Sequence, residues 1–253
     1  MDAEMRRRRM LELARRAGSV DVVRLAAGLK VSKETVRRDL TLLEEHGLVR
    51  RTHGGAHPVE SAGFETTLAF RTTHHVPEKS RIASAAAGLL GDAETVFVDE
   101  GFTPRLVAEA LPDDRPLTVV TASVAVAATF ASRRHATVML LGGRLRGGTM
   151  ATVDQWAVRM LSAFVVDLAY VGANGVCDHH GLTTPDPAVR DVKAQAMRVS
   201  RRRVLIGVHT KFGLTSFCRF AGVGDVQTIV TDTGLTAERA QRYARLGPQV
   251  LRV

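Results

Sequence analysis

From Thr95 to the C-terminus, short apolar runs rich in β-branched residues alternate with longer segments of helical period. "TVFVDEG", "LTVVTAS", "TVMLLGG", "DLAYVGANG", "RVLIGVHT", "QTIVTD" and "QVLRV" read as buried strands. Between them "TPRLVAEAL", "SVAVAATFAS", "DQWAVRMLSAF", "PAVRDVKAQAMRVS" and "TAERAQRYARLG" read as helices. A strand apolar on both faces does not suit a sheet with one wet side, so this alternation predicts an α/β domain built on a mostly parallel sheet covered by helices. Ahead of it "PEKSRIASAAAGLL" is expected to be a helix, with Pro77 in its first turn and Gly91 ending it.

In a parallel sheet of this kind the residues just after each strand gather at one edge, where ligands bind. Those positions are Asp99, Gly101 and Thr103 in "DEGFT", Thr121 and Ser123 in "TAS", Gly142, Gly143 and Arg144 in "GGR", Asn174 and Gly175 in "ANG", and Lys211 in "HTK". Small residues let a backbone approach a ligand, and hydroxyl or amide groups at a helix start can cradle an anion. Arg144, Lys193 and Lys211 would add positive charge. Glycine and threonine are ordinary at strand ends, so one such loop means little. Five together predict a pocket for a small anionic metabolite.

The chain carries a net charge of +9, unevenly spread. Residues 1–57 hold 13 Lys and Arg against 8 Asp and Glu, whereas the other 196 hold 22 against 18. A compact basic segment on a nearly balanced body suggests a polyanion partner, nucleic acid first. Its local pattern agrees. "MRRRRMLELARRAG" is expected to be a helix stopped at Gly18, and "SVDVVRLAAGL" a shorter one capped by Asp21, with Gly28 at the turn that follows. Ser32 can cap a third helix, "SKETVRRDL", in which Val36, Leu40 and Leu43 share one side while Glu34, Arg37 and Arg38 lie opposite and Lys33 and Thr35 flank. "VRRTHGGAHPV" then reads as a strand, a tight turn and a return strand. Helix, short helix, basic helix and hairpin wing in this order make a winged helix-turn-helix that would bind double-stranded DNA. Arg50, Arg51 and His53 would put donors near phosphates or the minor groove.

The run "VSKETVRRDLTLLEEHGLVRRTHGGA" resembles the winged helix-turn-helix signature of the DeoR family of bacterial transcription regulators. In that family the third helix is the recognition helix, which implies DNA contacts for Ser32, Lys33, Thr35, Arg37 and Arg38. The likeness continues from about Glu78 onward through "VVTAS", "LLGGRL", "GLTTPD", "KAQAM", "TKFG" and "IVTD". These resemble the family's sensor domain, related in fold to sugar-phosphate isomerases and usually binding phosphorylated sugars or similar metabolites. Several positions depart from the family pattern. Glu100, Phe102 and Pro104 replace residues of an Asp-Ser-Gly-Thr-Thr loop, Ala122 replaces an amide, Val189 and Val208 replace acidic residues, and Asp154 replaces a glycine. An inward-facing Glu100 would repel a phosphate, so the departures suggest an atypical effector or a partly degenerate pocket.

The expected organisation is therefore a DNA-binding domain over residues 1–57, a polar connection over 58–76 and a sensor domain over 77–253. Two cysteines, Cys177 and Cys218, make a disulfide framework unlikely, and no run of about 18 apolar residues suggests a membrane span or a signal peptide, so the expected location is the cytoplasm. Adjacent histidines such as those of "CDHHG" or His74–His75 rarely converge on one ion, and no metal or cofactor is expected. The leading expectation is an effector-controlled transcriptional regulator, a repressor acting as a homo-oligomer on repeated half-sites, and not an enzyme. Two alternatives are a sugar-phosphate isomerase-like enzyme and a DNA-binding protein with a degenerate pocket.

Overall fold

A computed structural model describes residues 2–45, 48–58 and 68–253. The chain forms two compact units, Met1–Thr73 and His74–Val253. Of the connection expected over 58–76, residues 59–67 lie outside the described residues, and the remainder contains a short helix, Leu68–Arg71.

In the first unit, α1 (Ala3–Ala17) starts at Asp2, whose side chain accepts from the Met5 N–H, and stops at Gly18 with φ 80°. Helix α2 (Val22–Leu29) starts at Asp21, which accepts from the Val23 and Arg24 N–H groups. The left-handed residue after α2 is Lys30 (φ 54°), not Gly28, which lies inside the helix. The turn thus falls two residues later than the glycine suggested. Helix α3 (Lys33–Glu45) buries Val36, Leu40 and Leu43 against Met10, Leu25 and Val49.

The expected hairpin forms from β2 (Val49–Thr52) and β3 (Gly55–Pro58), paired Thr52 to Gly55 across a two-residue turn. A third strand, β1 (Val20–Asp21), adds to it through Val20↔Ala56 and Asp21↔Gly55. That strand explains the double glycine. Gly54 has φ +90°, whereas a Cβ on Gly55 would stand 2.1 Å from the Val20 carbonyl oxygen. One glycine serves the turn and the other lets β1 approach.

The second unit opens with α5 (Val76–Ala87), after α4 (Leu68–Arg71) of the first; α5 ends three residues earlier than its sequence suggested, and Gly91 (φ +59°) turns the chain toward the sheet. All seven expected strands form: β4 (Thr95–Val98), β5 (Leu117–Thr121), β6 (Ala136–Leu140), β9 (Val166–Val171), β12 (Ser200–Ile206), β14 (Thr228–Thr231) and β15 (Gln249–Arg252). They make one sheet of order β15-β14-β12-β9-β4-β5-β6, parallel throughout. Side chains alternate between two cores. Phe97, Ala169 and Leu205 face one side, and Val96, Val98, Leu168, Tyr170, Val204 and Ile206 the other.

Helices α5, α6 (Phe102–Ala110) and α7 (Val124–Phe130) cover the second of these faces, and α8 (Asp154–Ser162), α9 (Pro187–Val199) and α10 (Ala237–Ala244) the first. Burial of both faces of the interior strands is the physical reason these runs carry no polar alternation. Two smaller sheets were not anticipated: the hairpin β7 (Arg144–Arg146)–β8 (Ala151–Val153), and the antiparallel β10 (Gly175–Cys177)–β11 (Gly181–Thr184)–β13 (Cys218–Ala221).

The strand order reverses between β4 and β9. The chain runs outward from β4 to β6, then returns to the other side of β4 and continues to β15. Ligands of open α/β sheets bind outside the carboxyl ends at such a point.

Candidate DNA interface and sensor site

The outward face of α3 is built from its cap. The Ser32 hydroxyl accepts from the Thr35 N–H at 3.0 Å and lies 2.8 Å from the Thr35 hydroxyl, so both polar groups are held at the helix start. Lys33, Glu34, Arg37 and Arg38 are exposed. Arg37 pairs with Glu34 at 3.4 Å, whereas Arg38 has no ion-pair or hydrogen-bond partner among the described residues. Glu34, Arg37, Arg38, Thr41 and Arg51 line one concave surface between helix and wing. Arg51 is fixed there: its backbone N–H donates to Glu44 at 2.8 Å and its guanidinium to the Thr41 hydroxyl at 2.9 Å. His53 is exposed at the turn.

Asp39 carries a role that its place in the sequence does not announce. It follows Arg38 yet is only 3% exposed, and Arg6 and Arg7 of α1 reach it at 2.6 and 3.5 Å. The Asp39 carboxylate raises the already high pKa of Arg6 through this hydrogen bond. The N-terminal arginine run is thereby divided. Arg6 and Arg7 anchor α3 from within, and Arg8 and Arg9 are paired outside with Glu12. The hint in the sequence was Asp39 falling between Val36 and Leu40 on the buried side, where an unpaired carboxylate would be costly.

In the second unit the switch point is occupied by a buried charge cluster. Asp99, at the end of β4, accepts from the Gly172 N–H at 2.8 Å and from the Lys193 ammonium of α9. Lys193 also donates to the Gly172 carbonyl at 3.2 Å and lies 3.9 Å from Glu100. Asp99, Glu100 and Lys193 are 2, 6 and 2% exposed, so Glu100 points inward. At an effective dielectric near 20, an anion placed about 4 Å from such a carboxylate meets repulsion of about 4 kcal/mol. Next to the cluster, Gly101 has φ +117° and caps α6, and Thr103 sits in the first helical turn.

The other expected site residues divide by role. Thr121 is wholly buried; its hydroxyl donates to the Val98 carbonyl at 2.6 Å and accepts from the Ser123 N–H at 3.0 Å. Ser123 caps α7 by accepting from the Val126 N–H at 3.2 Å. Both hydroxyls hold strands and helix together. Gly143 (φ +130°) lies where a Cβ would be 2.2 Å from the Val153 carbonyl oxygen, while Gly142 faces open space. Arg144 is exposed and pairs with Asp154 at 2.8 Å. Asp154 has φ 77°, which explains why glycine suits that position. The Asn174 amide oxygen accepts from Thr184 at 3.1 Å, and Gly175 packs where a Cβ would lie 2.5 Å from the Leu214 carbonyl oxygen. Asp99, Gly101 and Lys193 are thus brought to the switch point, whereas Gly175 begins the antiparallel sheet and Asn174 immediately precedes it.

Lys211 lies in the short 3₁₀ turn His209–Lys211 that follows β12, half-buried, and burial lowers its pKa to about 8. Beside it His209 is bonded to Asp232, at the end of β14. No group of His, Cys, Asp and Glu among the described residues could hold a metal ion, and no helix among them is long and apolar enough to cross a membrane.

Comparison with known proteins agrees with these two units. Residues 6–62 match the model of the DeoR-like helix-turn-helix domain, and residues 74–233 that of the DeoR C terminal sensor domain. The chain is 33% identical over 246 residues to the HTH-type transcriptional regulator GlpR of Haloferax volcanii, covering 97% of this chain and 96% of that one. It is 30% identical over 232 residues to the glycerol-3-phosphate regulon repressor of Escherichia coli, covering 92% of each. Ribose 5-phosphate isomerase A of Methanocaldococcus jannaschii aligns over 53% of each chain with a TM-score of 0.38 and 14% identity, a likeness too slight to argue from. On the domain matches and the full-length relatives together, this chain belongs to the DeoR family of transcriptional regulators.

Proposed function

We propose that the chain is a repressor of a carbohydrate or related metabolic operon, released from its operator by a small phosphorylated or otherwise anionic metabolite. The observation that carries the DNA half is Arg38, exposed at the middle of the recognition helix with its guanidinium uncommitted to any described residue. Ser32, Lys33, Thr35 and Arg37 surround it, and Arg51 and His53 extend the basic face along the wing. Guanidinium groups on a groove-entering helix read guanine edges, while neighbouring donors hold phosphates and set register.

For the sensor half, the reading rests on the carboxyl edge of the sheet: Asp99, Gly101, Thr103 and Lys193 at the switch point, Thr121 and Ser123 beneath it, Gly142, Gly143 and Arg144 on one flank, Asn174, Gly175 and Lys211 on the other. Lys193 is compensated by Asp99 and faced by Glu100, and Arg144 is held by Asp154. An anionic group is therefore poorly received at the β4 loop. Val189 and Val208 are buried apolar side chains where proton-transferring carboxylates would be useful, which favours sensing over turnover. A single winged helix binds modestly, so a cytoplasmic homo-oligomer on repeated half-sites fits the task.

Fluorescence anisotropy with duplexes from upstream of the chain's own gene tests this, run across a salt series with scrambled duplexes alongside. Binding that prefers the native duplex at 150–200 mM salt and falls when a sugar phosphate is added is the expected result. Only salt-labile, sequence-independent binding overturns the DNA reading. Turnover of a pentose or hexosamine phosphate would point to the isomerase alternative instead.

A further inference from the structure

The loops after β12 and β14 hold a constructed side-chain pair that the switch-point cluster does not use. Asp232 is 2% exposed and accepts three hydrogen bonds: the His209 backbone N–H at 2.7 Å, His209 Nδ1 at 2.6 Å and the Gly234 N–H at 3.0 Å. Burial alone would push its carboxyl up, yet these bonds together hold it below the usual carboxylate value. Gly234 is needed for the arrangement, since a Cβ there would stand 2.3 Å from His209 Nδ1. On another side the ring of His75, the residue preceding α5, meets the His209 ring edge-on with centroids 5.7 Å apart.

The ring is thus held in position and orientation, and its tautomer follows. With Nδ1 donating to a carboxylate, Nε2 is left on the opposite side of a side chain that is 31% exposed. Among the described residues Nε2 has no partner. A carboxylate-oriented imidazole with its second nitrogen open, at the carboxyl edge of a parallel sheet, is equipped to contact a ligand.

Resting on the effector-controlled reading above, we propose that His209 reads the effector, its Nε2 hydrogen-bonding a hydroxyl of a phosphorylated sugar or polyol, with Asp232 as the positioning residue. A hydroxyl both donates and accepts, so it satisfies Nε2 in either protonation state, whereas a phosphoryl oxygen only accepts. Lys211 lies two residues along the same turn.

The test uses the full chain, with glycerol 3-phosphate, ribose 5-phosphate, fructose 1-phosphate and inorganic phosphate as probes in calorimetric titration and DNA-release assays. In His209→Asn the side-chain amide can replace Nδ1 as donor to Asp232 but nothing replaces Nε2. In His209→Gln an amide reaches toward the Nε2 position. The expected result is that wild type binds at least one sugar or polyol phosphate, and that His209→Asn weakens it about 10-fold at unchanged Tm. His209→Gln should recover part of the loss, and inorganic phosphate should bind wild type and variant alike. Equal affinity of His209→Asn and wild type overturns the proposal while leaving the regulator reading intact. So does an equal loss in both variants with a lowered Tm, which would make the pair a structural tie. An equal loss for inorganic phosphate overturns the hydroxyl assignment. If no probe binds wild type, the effector reading fails and this assignment falls with it.

Discussion

Asp39 is where the recognition helix is most exposed to a single change. Replacing it with Asn keeps the shape but leaves Arg6, whose side chain is 13% exposed, facing a neutral amide at the distance now bridged at 2.6 Å. Removing one partner of a buried ion pair costs about 3–5 kcal/mol. Arg7 is 31% exposed and can turn to water, and Arg6 is not fully sealed, so a loss at or below the low end of that range, about 2–3 kcal/mol, is expected. A unit of this size has a total stability of about 3–8 kcal/mol, so the loss is a large share of it.

Native-state hydrogen exchange of the α3 amides in the full chain reads that loss locally, and the first thermal transition should fall by about 10–20 °C. DNA affinity should drop for specific and scrambled duplexes together, because the whole helix loosens rather than one contact. A double-mutant cycle with Arg6→Met isolates the pair: the coupling energy should reach about 2 kcal/mol. Coupling below about 0.5 kcal/mol, with α3 exchange unchanged in Asp39→Asn, refutes the view that this pair anchors the helix.

Three further outcomes are expected. Arg38→Ala should cost about 1–3 kcal/mol of operator binding and relax sequence preference, while Arg37→Ala, already paired with Glu34, should weaken all duplexes alike; competition binding with single-base operator variants distinguishes them. Gly55→Ala places a Cβ 2.1 Å from the Val20 carbonyl oxygen, so β1 must separate from β3, with a loss of about 2 kcal/mol or more by thermal denaturation and little change in the sensor unit's transition. Lys211 should link anion binding to pH. Its pKa in the free protein is about 8 because burial disfavours the ammonium, and a bound anion favours it and raises that value. Binding therefore takes up a proton above pH 8, and affinity falls as pH rises through that value. Calorimetry at pH 8.5 in buffers of different ionisation enthalpy should detect the uptake in wild type and not in Lys211→Met.

Local chemistry made much of the molecule legible. Asp2, Asp21 and Ser32 cap the helices they precede because side-chain oxygens reach N–H groups two or three residues on, a relation contained in the sequence. The sheet strands were recognisable because they are short β-branched runs, apolar on both faces in the sheet interior. The short antiparallel strands β7, β8, β10, β11 and β13 were not, since three or four residues carry no period and their pairing depends on what lies opposite. Gly28 misled for a similar reason: glycine can adopt a left-handed turn, but the packing of α2 against α3 decides where the turn falls, and Lys30 takes it.

For the candidate sites the division is sharper. The types and spacing of residues determined the two-unit plan, the basic helix with its wing, and the set of strand-end loops, because each follows from periodicity and capping over a few residues. Which charges are available was decided only by the tertiary structure. Asp99 meets Lys193 across 94 residues, Asp39 meets Arg6 across 33, and His209 meets Asp232 across 23. A side chain's charge is local to its residue, but whether that charge is spent within the fold or offered to a ligand depends on what long-range packing places beside it.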